Sequence, residues 1–218
     1  MISVADLLSG SPLPGNYYTH SVYVQGDLEM GLLENRRGDR LLALPETLIQ
    51  AIYAGLDQET GQASRLVLFN CGRWWGKNFY NRFQDELTGY YSTALRDMTT
   101  AEFLQCLKQC WITYGWGKID LNYSHHAQGF LMIETINSPF ARLAPPMGVP
   151  VCFLEAGVLS AFFSQLTGQD LHCVQISCES LAADCNRFVL GQQKRVEPAA
   201  EMVENHLDHE AIMTQLLT

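Results

Sequence analysis

Hydrophobic positions along this chain recur with two different periods. Leu44, Leu48, Ile49, Ile52, Tyr53 and Leu56 stand at helical spacing behind Pro45, and Gly61 closes the unit. Proline is tolerated at a helix start, so the pattern predicts a helix with one buried face. Arg65-Leu-Val-Leu-Phe69 is a compact apolar run and reads as a strand. Trp75, Phe79, Phe83, Leu87 and Tyr90/Tyr91 then fall at four-residue steps, which predicts a long helix from about Trp74 to Tyr91. Thr99-Thr-Ala-Glu102 is a capping box, so a further helix starts there, runs through Phe103, Leu107 and Trp111 and stops near Gly115. Ile119, Leu121 and Tyr123 alternate as a half-buried strand does, and Phe130 to Ile136 is its partner across the loop His125–Gly129.

The last third repeats the theme. Pro139 to Pro150 is a proline-rich connection. Cys152 opens an apolar helix carrying Leu154, Val158, Leu159, Phe162, Phe163 and Leu166, which Gly168 ends. Leu171–Cys178 and Asn186–Leu190 make a second hairpin. Val22–Gln25 and Asp39–Ala43 are weaker strand candidates, and Gly10, Pro12, Pro14 and Gly15 mark residues 1–20 as a short helix and loop. The tail from Glu197 is acidic and mildly amphipathic and reads as a solvated terminal helix. Hairpins imply antiparallel pairing, so the expected class is α+β, an antiparallel four- to five-stranded sheet with helices packed mainly on one face. The expected organisation is an extension over residues 1–20, a domain over 21–192 and a helical tail over 193–218.

Composition narrows the partners. The formal charge is −9 and no basic run appears, which argues against nucleic acid. No apolar stretch is long enough to span a bilayer. The N-terminus lacks the charged and apolar regions of a signal peptide, so the seven cysteines read as reduced thiols of a cytoplasmic protein. No glycine-rich nucleotide loop, HExxH, G-x-S-x-G or Cys-x-x-Cys is present, and the reading leans away from an enzyme.

Two sets of residues carry candidate chemistry. Trp74, Trp75, Phe79, Phe83, Trp111 and Trp116 supply either helix packing or the walls of a pocket for a flat ligand. Arg65, Arg73 and Arg82 nearby suit a forked contact with a ligand carboxylate, or else surface ion pairs. Cys152, Cys178 and Cys185 would meet if the fold sets the start of the Cys152 helix beside the second hairpin. Such a cluster holds a metal, reacts with a ligand, or packs as small apolar groups.

The run from Cys152 to Gly168, followed by a strand and by Cys178-Glu-Ser-Leu-Ala-Ala-Asp-Cys185-Asn-Arg-Phe-Val-Leu, resembles the C-terminal signature of the vinyl-4-reductase domain family. The order of elements over roughly residues 20–192 is similar as well. The resemblance implies a helix-plus-antiparallel-sheet fold, a homo- or heterodimer with a related domain, and a pocket for a small hydrophobic ligand. In the family's sensor branch, zinc is held by cysteines matching Cys152, Cys178 and Cys185 together with a glutamate, where this chain has Gln175. The family also includes a protein linked to bacteriochlorophyll synthesis. By that analogy the expected ligand is a bilin or another tetrapyrrole, and the expected setting is pigment supply or photosystem assembly, in the cytoplasm or peripheral at a photosynthetic membrane. An enzyme acting on a tetrapyrrole side chain and a ligand-free dimeric subunit are the alternatives.

Overall fold

The capping box forms as its sequence predicts: the Thr99 amide donates to Glu102 Oε2 at 2.8 Å and the Glu102 amide to Thr99 Oγ1 at 3.2 Å. The computed structural model describes residue 13 and residues 15–27, 29–141 and 148–218. The helix expected early in residues 1–20 and the centre of the 139–150 connection lie outside them. The chain divides into two compact units, Met1–Leu44 with Phe83–Trp116, and Pro45–Arg82 with Gly117–Thr218.

The first unit pairs a small antiparallel sheet with helix. Its strands are β1 (Gln25–Asp27), β2 (Leu32–Glu34) and β3 (Arg40–Leu41), in the order β1-β2-β3. The strand expected at Val22 is shifted, because His20–Tyr23 is a helical turn and pairing begins only at Gln25. The strand expected over Asp39–Ala43 keeps two residues. Tyr18, Tyr23, Phe83, Leu87, Leu107 and Trp111 fill the core. A carboxylate sits among them: buried Glu86 accepts from Tyr18 Oη at 2.8 Å and from Asn35 Nδ2 at 3.3 Å. Burial of a charge is tolerated where hydrogen bonds replace its water.

The second unit is built on a four-stranded antiparallel sheet. Helices α1 (Glu46–Thr60) and α2 (Ala63–Tyr91) precede it, and α2 continues into the first unit, where α3 (Thr100–Thr113) also lies. Strands β4 (Lys118–Asn122), β5 (Leu131–Ile136), β6 (Leu171–Ser177) and β7 (Asn186–Gln192) take the order β4-β5-β7-β6, which leaves β6 at an edge. Helix α4 (Phe153–Thr167) stands between β5 and β6 in sequence, and α5 (Gln193–Glu204) and α6 (His209–Leu216) follow β7.

Arg65–Phe69, expected as a strand, lies inside α2. The reason is packing. Gly72 and Gly76 sit where α2 crosses α4 so closely that a Cβ on Gly72 would stand 2.1 Å from the Leu154 carbonyl oxygen. The crossing needs a helix there, and tertiary contact overrides the strand preference of five apolar residues.

Alternation along the strands assigns the faces. Thr135 and Phe188 point to the α4 side, while Met132 and Val189, their neighbours in opposite phase, pack with Val196, Ala199, Ile212 and Met213. The C-terminal helices therefore cover the second face, and the tail is not solvated: Val196, Ala199 and Ile212 are fully buried. Ile212→Ala is expected to cost about 3 kcal/mol, read as a lower midpoint in urea unfolding. A solvated tail would leave the midpoint where it is.

Candidate ligand-binding site

A cavity of about 290 Å³ opens beside edge strand β6. Three helices and the strand meet there because each presents small or apolar residues at the junction. α2 contributes Arg65, Leu66 and Phe69; α4 contributes Phe153 and Ala156; β6 contributes His172 to Gln175; and α5 contributes Ala200, Val203 and Glu204. Val149 and Pro150 complete the wall. The lining is mostly apolar with a few polar groups, the composition of a small-molecule pocket.

Its polar groups have distinct states. Arg65 Nη1 pairs with Glu204 Oε1, and the guanidinium lies 5.7 Å from the Phe153 ring centroid. The Arg65 Nε is buried and has no hydrogen-bond partner. The His172 ring rests 4.9 Å from the Phe69 ring. Burial and the nearby Arg73 push its pKa down, so the imidazole is neutral at pH 7. Gln175 Oε1 accepts from the Cys152 amide at 2.8 Å, and its Nε2 donates to Asn186 Oδ1 at 3.3 Å.

Of the aromatic, arginine and cysteine residues singled out in the sequence, Arg65 lines this cavity and the others do not. Trp74 is 74% exposed. Trp75 stacks on Phe79, and Phe79 packs against Phe162 with ring centroids 5.4 Å apart. In the first unit Phe83 stacks on Tyr18 at 5.6 Å, and Trp111 meets Trp116 edge to face at 4.9 Å. Arg73 pairs with Asp170 at 3.6 Å, and Arg82 is half-buried. Phe69, Phe153 and Glu204 carried no readable signal, because their convergence depends on the crossing of α2 with α4 and on the return of α5.

The cysteines form a pair and an outlier. Cys152 and Cys178 interact: the Cys152 thiol donates toward Cys178 and, with Ser180, holds the Cys178 thiol down at about 6 against the effect of burial. Burial pushes Cys152 well up. Cys185 is buried too, but its electrostatic neighbours are Arg187, Asp184, Glu134 and Glu179 rather than the other thiols. Among the described residues no group of three or more His, Cys, Asp or Glu stands in a metal-holding arrangement. Gln175 is occupied by the Cys152 amide and Asn186. The donor set therefore fits a four-ligand structural zinc poorly.

Beside the thiol pair lies a second polar group. Glu155, in the first turn of α4, is fully buried and accepts from Ser138 Oγ at 2.8 Å. Burial pushes its carboxyl up to about 8, with the Ser138 hydroxyl pulling the other way. Its Oε1 and the buried Tyr53 hydroxyl have no hydrogen-bond partner.

The segment from β5 through α4 and β6 to β7, with its three cysteines, has a counterpart among known families. Residues 131–192 match the V4R domain. The likeness read from Cys152, Cys178 and Cys185 is borne out over this V4R segment, which carries α4 and the β6 wall of the cavity. In fold, 94% of the chain superposes on 97% of the phenol-responsive sensory domain of the transcription activator PoxR, solved with phenol, at a TM-score of 0.63 and 12% identity. A vinyl-4-reductase family protein from Methanocaldococcus jannaschii matches with a TM-score of 0.44 and 14% identity, over 69% of this chain and 82% of that one. A trafficking protein particle complex subunit 3 from Naegleria fowleri, covalently bound to palmitic acid, gives 0.49 and 12%, over 67% and 93%. No curated protein matches the chain in sequence. Among the described residues no helix is long and apolar enough to cross a membrane.

Proposed function

We propose that this chain is a small-molecule-binding module whose ligand is a compact, apolar, carboxylate-bearing compound seated in the β6-edge cavity. The observation that carries the reading is an apolar chamber of about 290 Å³ with one guanidinium in its wall. Phe69 and Phe153 offer ring faces to the body of a ligand, and Arg65 offers a forked donor to its head. The V4R match and the shared fold with a phenol-responsive domain support a sensory or carrier role over catalysis.

The tetrapyrrole expected from the family resemblance has the same chemistry at larger size. A bilin would place one or two of its rings in this chamber and leave the rest at the mouth. The proposed link to pigment supply or photosystem assembly goes with that ligand, and an absorption spectrum of protein purified from its native host tests it. A pigment-free spectrum there, with no shift on adding biliverdin, sinks the tetrapyrrole and leaves the smaller acid.

Calorimetric titration with 2-naphthoate tests the site itself. Binding is expected in the micromolar to millimolar range, and Ala200→Trp at the mouth is expected to abolish it with the circular dichroism unchanged. Undiminished binding to A200W places the ligand elsewhere. A second reading, a dimeric interaction subunit, is favoured by α1. That helix buries only Tyr53 and leaves Leu48 and Ile52 exposed at 40% and 45%. Sedimentation as a monomer at 100 μM would count against it.

A further inference from the structure

The cavity wall holds a second polar group, and its hydrogen bonding is unfilled. His172 stands on β6 with its ring 4.9 Å from the Phe69 ring. That contact holds the imidazole by its face and occupies neither nitrogen. Among the described residues nothing hydrogen-bonds to either of them. A neutral imidazole offers one donor and one acceptor. Polar atoms at an apolar wall lose free energy when left without partners, so a ligand atom that supplies one gains by it.

The two helices that flank the cavity place this imidazole relative to Arg65. On α2, Arg65 precedes Phe69 by about one turn and Arg73 follows it by about one turn. The charges acting on His172 are Arg73, its partner Asp170 at 3.6 Å, and Glu197 of α5. Arg65 instead holds Glu204, almost two turns further along α5. From Glu197 to Glu204 the helix rises about 10 Å. The guanidinium and the imidazole thus stand at opposite ends of the chamber, with Phe69 and Ala200 between them.

We infer that His172 is a second ligand anchor and sets the class of ligand: an aromatic acid with a hydroxyl at the end of its ring system remote from the carboxylate. This rests on the small-molecule reading of the cavity above and adds to it a specificity-determining residue. The acid meets Arg65, the rings lie against Phe69, and the hydroxyl hydrogen-bonds to the imidazole. A hydroxyl donates to the bare nitrogen or accepts from the N–H, so either tautomer serves. An acid without the hydroxyl leaves both nitrogens unfilled. One with its hydroxyl beside the carboxylate does not reach across Phe69.

The test titrates the full chain calorimetrically with 6-hydroxy-2-naphthoate, 3-hydroxy-2-naphthoate and 2-naphthoate. The 6-hydroxy acid is expected to bind about fivefold tighter than 2-naphthoate, the gain of one net hydrogen bond, and the 3-hydroxy acid no tighter. His172→Phe keeps a ring against Phe69 and removes both nitrogens. H172F is expected to bind the 6-hydroxy acid and 2-naphthoate equally, with the circular dichroism unchanged. The comparison of the three acids on the parent needs no variant, so it decides the matter even where H172F does not fold. Equal binding of the 6-hydroxy acid and 2-naphthoate by the parent overturns the inference and leaves the cavity as the site. So does an equal gain for the 3-hydroxy acid, or a 6-hydroxy preference that persists in H172F. Failure of all three acids to bind the parent overturns the cavity reading and the inference together.

Discussion

Gly157→Ala is expected to destabilise the second unit by about 3 kcal/mol or more, at the upper end of what overpacking costs. Gly157 lies in α4 opposite α2. A Cβ there would stand 2.1 Å from the Phe69 carbonyl oxygen and 2.9 Å from the Arg73 amide nitrogen. Both are backbone atoms of a helix, so no side chain can rotate away and the two axes must separate. Separation would also open the cavity wall that Phe69 and Phe153 line. The control is Gly55→Ala in α1, where nothing lies within 4 Å of the added Cβ. Removing a helical glycine without a clash is worth about 0.5–1 kcal/mol of added stability. Urea unfolding of both variants checks the pair. A G157A midpoint equal to that of the parent would mean that the helices do not touch there.

The second large effect is on the pH dependence of stability. Burial holds the Glu155 carboxyl at about 8 against an ordinary 4.5. Between those values the folded protein keeps a proton that the unfolded chain releases. Stability from this group is therefore complete below about pH 4.5, is lost as pH rises, and is gone above about 8. The full loss is on the order of 5 kcal/mol, at 1.36 kcal/mol per pKa unit. Cys178 acts in the opposite sense: its thiol, held near 6 rather than 9, adds stability as pH rises from 6 to 9. Comparing the parent with Glu155→Gln reads the carboxyl together with its electrostatic coupling to Cys178. E155Q is expected to lie close to the parent at pH 5 and to exceed it by several kcal/mol at pH 9. Parallel pH profiles for the two proteins would show that Glu155 is ionised in its site.

Residues with local signals declared themselves in the sequence. Thr99 and Glu102 cap α3 through hydrogen bonds three residues apart. Gly168 ends α4 in the left-handed conformation, at φ +68°. Alternation at Ile119 and Leu121 marks β4, and the spacing of Cys152, Cys178 and Cys185 marks the V4R segment. The caps and the alternation are short-range, so each is determined by neighbours within a few residues. Arg65 was legible as a candidate cation but not in its setting, since its run of apolar neighbours reads equally as strand or helix.

Function-bearing geometry was set by contacts distant in sequence. The aromatic residues from Trp75 to Trp111 had the inventory of a pocket, yet Phe79, Phe83 and Trp111 spend their faces on core packing. The cavity arises elsewhere, at the free edge of β6, from residues as far apart as Arg65 and Glu204. The acidic tail looked solvated because its apolar residues are few. Only the sheet face beneath it, Met132 with Val189, makes Val196 and Ile212 core residues. By itself the sequence determined the α+β class, the hairpins and the V4R signature, because periodicity and capping are local. The tertiary structure decided where a ligand has room, because room depends on how closely two helices approach, and glycines at their crossing set that distance.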